Sequence, residues 1–153
     1  MAIKTVTTNR KAYHNYHVQG NVEAGIVLTG TEIKSIRAGK VNLSDAYVRP
    51  ERGELWLLSA HIARYEASSY LNHEPMRPRK LLLHRKEIEA LTSRLSERGL
   101  TLVPLKLYIK GSTAKVELAL GKGKKLYDKR ESLMRREADR EMGRVIKRRS
   151  AKG

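Results

Sequence analysis

The chain has 153 residues, enough for one domain with a real core, and that length argues against two. Its 32 Lys and Arg against 16 Asp and Glu give a formal charge of +16, which points to a polyanionic partner, either nucleic acid or an anionic membrane surface. Cysteine is absent, which excludes disulfides, thiolate zinc sites and thiol nucleophiles; Met1 to Val6 lacks the apolar stretch of a signal peptide and no later run approaches a membrane span, so a soluble cytoplasmic protein is expected.

Val22 to Thr29 reads as a strand that Gly30 breaks. Thr31 to Ala38 follows, with Ile33 and Ile36 three apart and Gly39 at the C-cap position, which predicts a short helix leaning on a sheet. Ala46 to Glu51 and Glu54 to Ala60 form two β-like runs around Arg52-Gly53, a hairpin in which Pro50 marks an edge-type strand. Between Arg64 and Lys80 periodicity is weak, and Pro75 and Pro78 flank Met76-Arg77, so this stretch reads as a loop. From His84 to Arg98, Ile88, Leu91 and Leu95 recur at helical spacing before Gly99, the clearest helix signal in the chain. Leu100 to Lys110 and Thr113 to Leu120 are joined by Gly111-Ser112 as a second hairpin, and Lys115-Val116-Glu117-Leu118 alternates a polar with an apolar face. The sum is a mainly β fold with helices. A small oligonucleotide-binding-type closed β-barrel with two or three flanking helices, over residues 1–120, accommodates these elements, and a split β-α-β sheet fits the same set.

The composition changes at Gly121-Lys122-Gly123-Lys124-Lys125, so residues 121–153 read as a basic C-terminal tail behind a glycine hinge. The tail holds thirteen Lys and Arg against five Asp and Glu, a net of +8, which is half of the whole excess. Met134, Ala138, Met142 and Ile146 recur at four residues, a stripe too thin to anchor a helix in a core. The expectation is a segment disordered when free and helical on a polyanionic surface, where its self-repulsion is relieved. A plain solvated basic terminus would add only non-specific affinity. Tyr127-Asp128-Lys129-Arg130 just after the hinge argues for more, because Asp128 can orient two cations of different geometry.

Phe is absent, while Tyr occurs seven times and Trp once, so nearly every ring carries a polar edge and can stack on a base while reaching water. Tyr13, Tyr16, Tyr47, Tyr65, Tyr70 and Tyr108 are each expected at a barrel rim for packing; Tyr127 alone sits in a context that favours contact. The five histidines show no metal-ligand context: His14-x-x-His17 falls in an expected strand or loop, without the Glu-bearing helix of a zinc protease. Ser44-Asp45 and Ser68-Ser69 lack a base, and the glycines form no phosphate loop. The expectation is therefore a non-enzyme with no catalytic residue, no metal and no cofactor.

Five stretches together carry a resemblance: Asn9-Arg10-Lys11-Ala12, Glu23-Ala24-Gly25-Ile26, the run from Glu32 to Lys40, Arg79 to His84, and Gly123 to Arg130. In that order and spacing the chain resembles SmpB, the SsrA-binding protein family of bacterial trans-translation. The resemblance implies binding of the tRNA-like domain of transfer-messenger RNA and delivery to a stalled 70S ribosome, with elongation factor Tu (EF-Tu) and GTP joined through the aminoacylated RNA. It implies a monomer, with neither a membrane nor DNA as partner. His14, Tyr16, Glu23, Tyr47, Leu82 and His84 match RNA-binding positions, although Leu82 fits a core position as well and His84 stands where some relatives have Asn. Lys34 and Arg37, one turn apart, and Lys124 and Lys125 are expected phosphate contacts. Tyr127, Lys129 and Arg130 would lie at the 16S rRNA decoding centre, and Val145 and Ile146 further along the empty mRNA channel. The reading set against this one is a generic RNA-binding or ribosomal protein with an electrostatic tail.

Overall fold

The structure, a computed structural model, describes residues 2–66, 72–96 and 99–124. In chain order the elements are β1 (Ile3–Thr8), α1 (Arg10–Asn15), β2 (Tyr16–Ile26), α2 (Gly30–Arg37), β3 (Val41–Asn42), β4 (Tyr47–Glu51), β5 (Glu54–Leu58), β6 (His61–Ile62), β7 (Arg79–Leu82), α3 (Arg85–Leu95), β8 (Leu100–Lys110) and β9 (Thr113–Gly123). The fold is thus mainly β with a few helices. Seven strands form one antiparallel sheet in the order β1-β8-β4-β5-β7-β2-β9, and β8 pairs with β9 as well. The ladders therefore run in a circuit from β8 through β4, β5, β7, β2 and β9 back to β8, leaving β1 outside on β8. β3 and β6 make a separate two-stranded pair.

Period-two alternation explains where the core sits. Leu55 and Leu57 on β5, Leu81 on β7, Leu102 and Leu107 on β8, and Val116 and Leu118 on β9 converge with Ile36 from α2 and Ile88 and Leu91 from α3. Each such leucine, wholly withdrawn from water, contributes about 1.5–3 kcal/mol. β8 is buried on both faces because Val103 and Leu105 point the other way, into a smaller cluster with Ala12 of α1 and Ala119 of β9. Turn chemistry agrees with geometry: Arg52 and Gly53 both have positive φ, 53° and 76°, the two-residue turn that joins β4 to β5. Thr29 caps α2 in a capping box with Glu32, and Gly39 takes φ 76° just past its end.

Four expectations are corrected. The strand expected over Val22 to Thr29 ends at Ile26, because Thr29 is the cap of α2, and it begins as early as Tyr16. His14 lies in the last turn of helix α1, not in a strand or loop. That helix exists because Asn9 caps it: its side chain accepts from the Ala12 N–H at 3.1 Å and donates to the Leu43 and Pro104 carbonyls at 2.9 Å each. The stretch expected as loop through Lys80 already enters β7 at Arg79. Finally, β9 runs on to Gly123 instead of stopping at Leu120, so Gly121 is a ladder residue opposite Val18, and the compact unit spans Met1–Gly123. The tail features from Lys125 onward lie outside the described residues.

Candidate nucleic-acid interface

Glu23, Leu82 and His84 meet. The motif Glu23-Ala24-Gly25 divides its side chains by strand parity: Ala24 enters the core at 1 % exposure, while Glu23 faces out. Gly25 is opposite Leu82 of β7, and a Cβ on that glycine would lie 3.2 Å from the Leu82 Cβ, so the missing side chain is what lets the two strands present Leu82 here. Leu81 is core, whereas Leu82 is 52 % exposed, which removes the core reading of Leu82. His84 follows at the N-cap of α3, where its N–H donates to the Glu87 carboxylate at 3.1 Å. With Gly25, Leu83, Glu87 and Lys115 these residues line a depression of about 460 Å³.

The Glu23 carboxylate is held from the side. Tyr108 of β8 donates its hydroxyl to Glu23 Oε2, and Lys110 Nζ stands 3.6 Å from Oε1. The Tyr108 bond, opposed by some desolvation and helped by Lys110 and Lys115, holds the Glu23 carboxyl below its ordinary value; burial and the same bond push the Tyr108 phenol up. On β9 beside them, Glu117 accepts from the Asn21 side chain at 2.6 Å. The depression is therefore apolar at Leu82, acceptor at Glu23 and Glu87 and cationic at Lys115, with Lys110 beside Glu23.

The other expected contacts are distributed elsewhere. Tyr16 and Tyr47 line a second cleft of about 300 Å³ with Asn9, Lys11, Asn15 and Asp45, but His14 does not. Lys34 borders a hollow with Thr31 and His73, its ammonium 5.4 Å from the centre of the Tyr65 ring, and Arg37 borders another with Lys4 and Gly111. Lys124 lines none of these four hollows. Lys125, Tyr127, Lys129, Arg130, Val145 and Ile146 lie outside the described residues.

A buried charge cluster braces β7 and was not foreseen from the sequence. Glu32 and Arg79 have fully buried side chains, with Arg79 Nε donating to Glu32 Oε2 at 2.5 Å and Arg77 donating to Oε1 at 2.5 Å. Arg79 also donates to the Ala60 carbonyl at 2.7 Å and the Pro75 carbonyl at 3.1 Å, and Glu32 accepts from the Thr29 N–H at 2.8 Å. Burial pushes the Glu32 carboxyl up, but the bonds from Arg77, Thr29 and Arg79 outweigh it and hold it at about 2. Because Arg79 opens the strand that ends at Leu82, this cluster fixes one wall of the depression. The Thr29-x-x-Glu32 capping-box spacing was the sequence signal available for it.

Known proteins resemble the chain along most of its length. The family model described as "SmpB protein" matches residues 6–148. An SsrA-binding protein of Dehalococcoides mccartyi is 60% identical over 143 residues, covering 94% of this chain and 83% of its own. One from Carboxydothermus hydrogenoformans is 57% identical over 144 residues, 94% of this chain and 97% of its own. Among solved structures, a chain from "tmRNA-SmpB: a journey to the center of the bacterial ribosome" superposes with a TM-score of 0.68 at 50% identity, covering 78% of this chain and 85% of that one. Similarity at this level, continuous from the first strand almost to the C-terminus, means that the chain belongs to the SmpB protein family.

Proposed function

We propose that the chain binds the tRNA-like domain of transfer-messenger RNA (SsrA) and delivers it to ribosomes stalled on messages without a stop codon. The observation that carries this reading is the meeting of Glu23, Leu82 and His84, drawn from β2, the end of β7 and the cap of α3, at one exposed depression. Sequence-specific recognition of RNA targets unstacked loop nucleotides, whose bases stack and whose edges and 2′-hydroxyls hydrogen-bond. Leu82 offers an apolar platform, Glu23 accepts from amino, imino or hydroxyl donors, His84 offers a ring, and Lys115 attracts phosphate. The work of these groups is recognition, and the protein is not an enzyme in this reading.

The circuit of ladders is, in this reading, a small closed barrel of oligonucleotide-binding type that displays the depression on its outside. The Tyr16–Tyr47 cleft adds a contact, as does His14, and Lys34, Arg37, Lys124 and Lys125 take phosphates. The basic tail places Tyr127, Lys129 and Arg130 at the 16S rRNA decoding centre and Val145 and Ile146 in the empty mRNA channel. The incomplete protein is then tagged for degradation and the ribosome released. The chain acts as a cytoplasmic monomer, with EF-Tu and GTP on the same aminoacylated RNA.

The test measures binding to transfer-messenger RNA, bulk tRNA and duplex DNA at several salt concentrations, with tagging on stalled ribosomes as a second readout. The transfer-messenger RNA should be preferred at every salt concentration, and truncation after Lys125 should keep that preference while abolishing tagging. Equal affinities and equal salt slopes for the three nucleic acids would leave only a generic RNA binder with an electrostatic tail.

A further inference from the structure

Tyr108 is the least exposed tyrosine among the described residues, at 9 %, and its hydroxyl reaches a carboxylate two strands away. The register explains the reach. Tyr108 is opposite Lys115 on β9, Lys115 is opposite Gly25 on β2, and Glu23 lies two residues along β2 on the same outer face. Lys110, two residues beyond Tyr108, shares that face and approaches the other carboxylate oxygen. A carboxylate at an RNA surface repels phosphates unless cations surround it, and it chooses among donors only if its direction is fixed.

We propose that Tyr108 and Lys110 are positioning residues for Glu23, holding its Oε2 by the phenol and leaving lone pairs of Oε1 for an amino, imino or 2′-hydroxyl donor of an unstacked nucleotide. This rests on the reading of the depression as an RNA contact. Neither residue need touch RNA: each acts through Glu23, which remains reachable with 39 % of its side chain exposed. The carboxylate is also the form that the site favours, because the Tyr108 bond and the charges of Lys110 and Lys115 lower its proton affinity. The other titratable groups around it are His84 and Glu87 at the start of α3 and Glu117 on β9. A site so arranged reads donors at neutral pH and loses them once Glu23 takes up a proton.

The experiment measures affinity of the full chain for the tRNA-like domain from about pH 4 to pH 8 in wild type, Tyr108→Phe, Lys110→Met, Glu23→Gln and the Tyr108→Phe/Glu23→Gln double variant. Tyr108→Phe keeps the ring and should bind about tenfold more weakly at neutral pH. Its loss of affinity on acidification should begin at a higher pH than in wild type, because the largest influence lowering the Glu23 carboxyl has gone. Lys110→Met should shift the same midpoint upward by less, and that shift is the readout should Tyr108→Phe fail to fold. Glu23→Gln supplies the pH dependence of every other group, and the double variant should bind no more weakly than Glu23→Gln alone. Should Glu23→Gln weaken binding while Tyr108→Phe and Lys110→Met match wild type in affinity and midpoint, the positioning role is refuted and the RNA reading survives. Additive losses in the double variant would show Tyr108 acting independently of Glu23, which also overturns it. Wild-type binding by Glu23→Gln would instead take Glu23 out of the RNA interface and overturn the positioning role with it.

Discussion

Glu32 and Arg79 have side chains with no exposed surface and yet carry full charges, so their contribution depends on every bond that replaces water. The Glu32 carboxyl is depressed from 4.5 to about 2 in the folded chain, so its stabilisation is complete above the ordinary value and is lost as pH falls from 4.5 towards 2. Glu32→Gln should cost about 3–5 kcal/mol, the usual penalty for leaving one member of a buried pair uncompensated. That is a large part of the roughly 5–15 kcal/mol that holds a domain together. Urea unfolding of Glu32→Gln at several pH values should show a lower midpoint near neutrality and a flatter fall in acid than wild type. Arg79→Met should be nearly as severe, whereas Arg77→Met should be milder, since the Arg77 side chain is already 34 % exposed. Equal losses from the two arginine variants would contradict this ordering. Charge counting could not reveal the cluster, because Glu32, Arg77 and Arg79 look like ordinary surface residues until α2 and β7 are placed side by side.

At the scale of elements, legibility followed how local each cause is. The hairpins at Arg52-Gly53 and Gly111-Ser112 were readable because turn residues sit between the strands they join. α2 and α3 were readable from apolar spacing and from Gly39 and Gly99. α1 was not: it is six residues long, buries only Ala12, and depends on Asn9 bonds to carbonyls of Leu43 and Pro104 far along the chain. The β2–β7 pairing rests on two register pairs, Gly25–Leu82 and Ile26–Leu81, that no periodicity announces; the motif resemblance, not the pattern, picked out Glu23, Leu82 and His84. The misread end of β9 makes a direct comparison possible. A Cβ at Gly121 would lie 2.9 Å from the Tyr16 Cβ, while one at Gly123 meets nothing within 4 Å. Gly121→Ala should therefore lower stability by about 1–3 kcal/mol and displace Tyr16 from its cleft, whereas Gly123→Ala should stay within about 0.5 kcal/mol. Thermal and urea unfolding of the two variants decide it, and equal effects would mean that the close approach of Tyr16 does not constrain position 121.

Across the whole molecule, charge is spread over both parts of the chain, whereas the proposed recognition groups all lie in one. Residues 126–153 hold ten Lys and Arg against five Asp and Glu, a net of +5, so a chain ending at Lys125 retains +11 of the full +16. Phosphate neutralisation sets the dependence of affinity on salt, and contacts to base edges set the preference between RNAs. Glu23, Leu82, His84 and the Tyr16–Tyr47 cleft all belong to the compact unit Met1–Gly123, which has its own core. Truncation after Lys125 should therefore flatten the plot of log affinity against log salt for both transfer-messenger RNA and bulk tRNA. Bulk tRNA should lose more, because phosphate contacts make up nearly all of its binding, so the ratio of the two affinities should hold or rise. A truncated chain that kept the full salt slope would show that the tail makes no phosphate contacts in the free complex. One that lost its preference for transfer-messenger RNA would move recognition out of the β unit and into the tail.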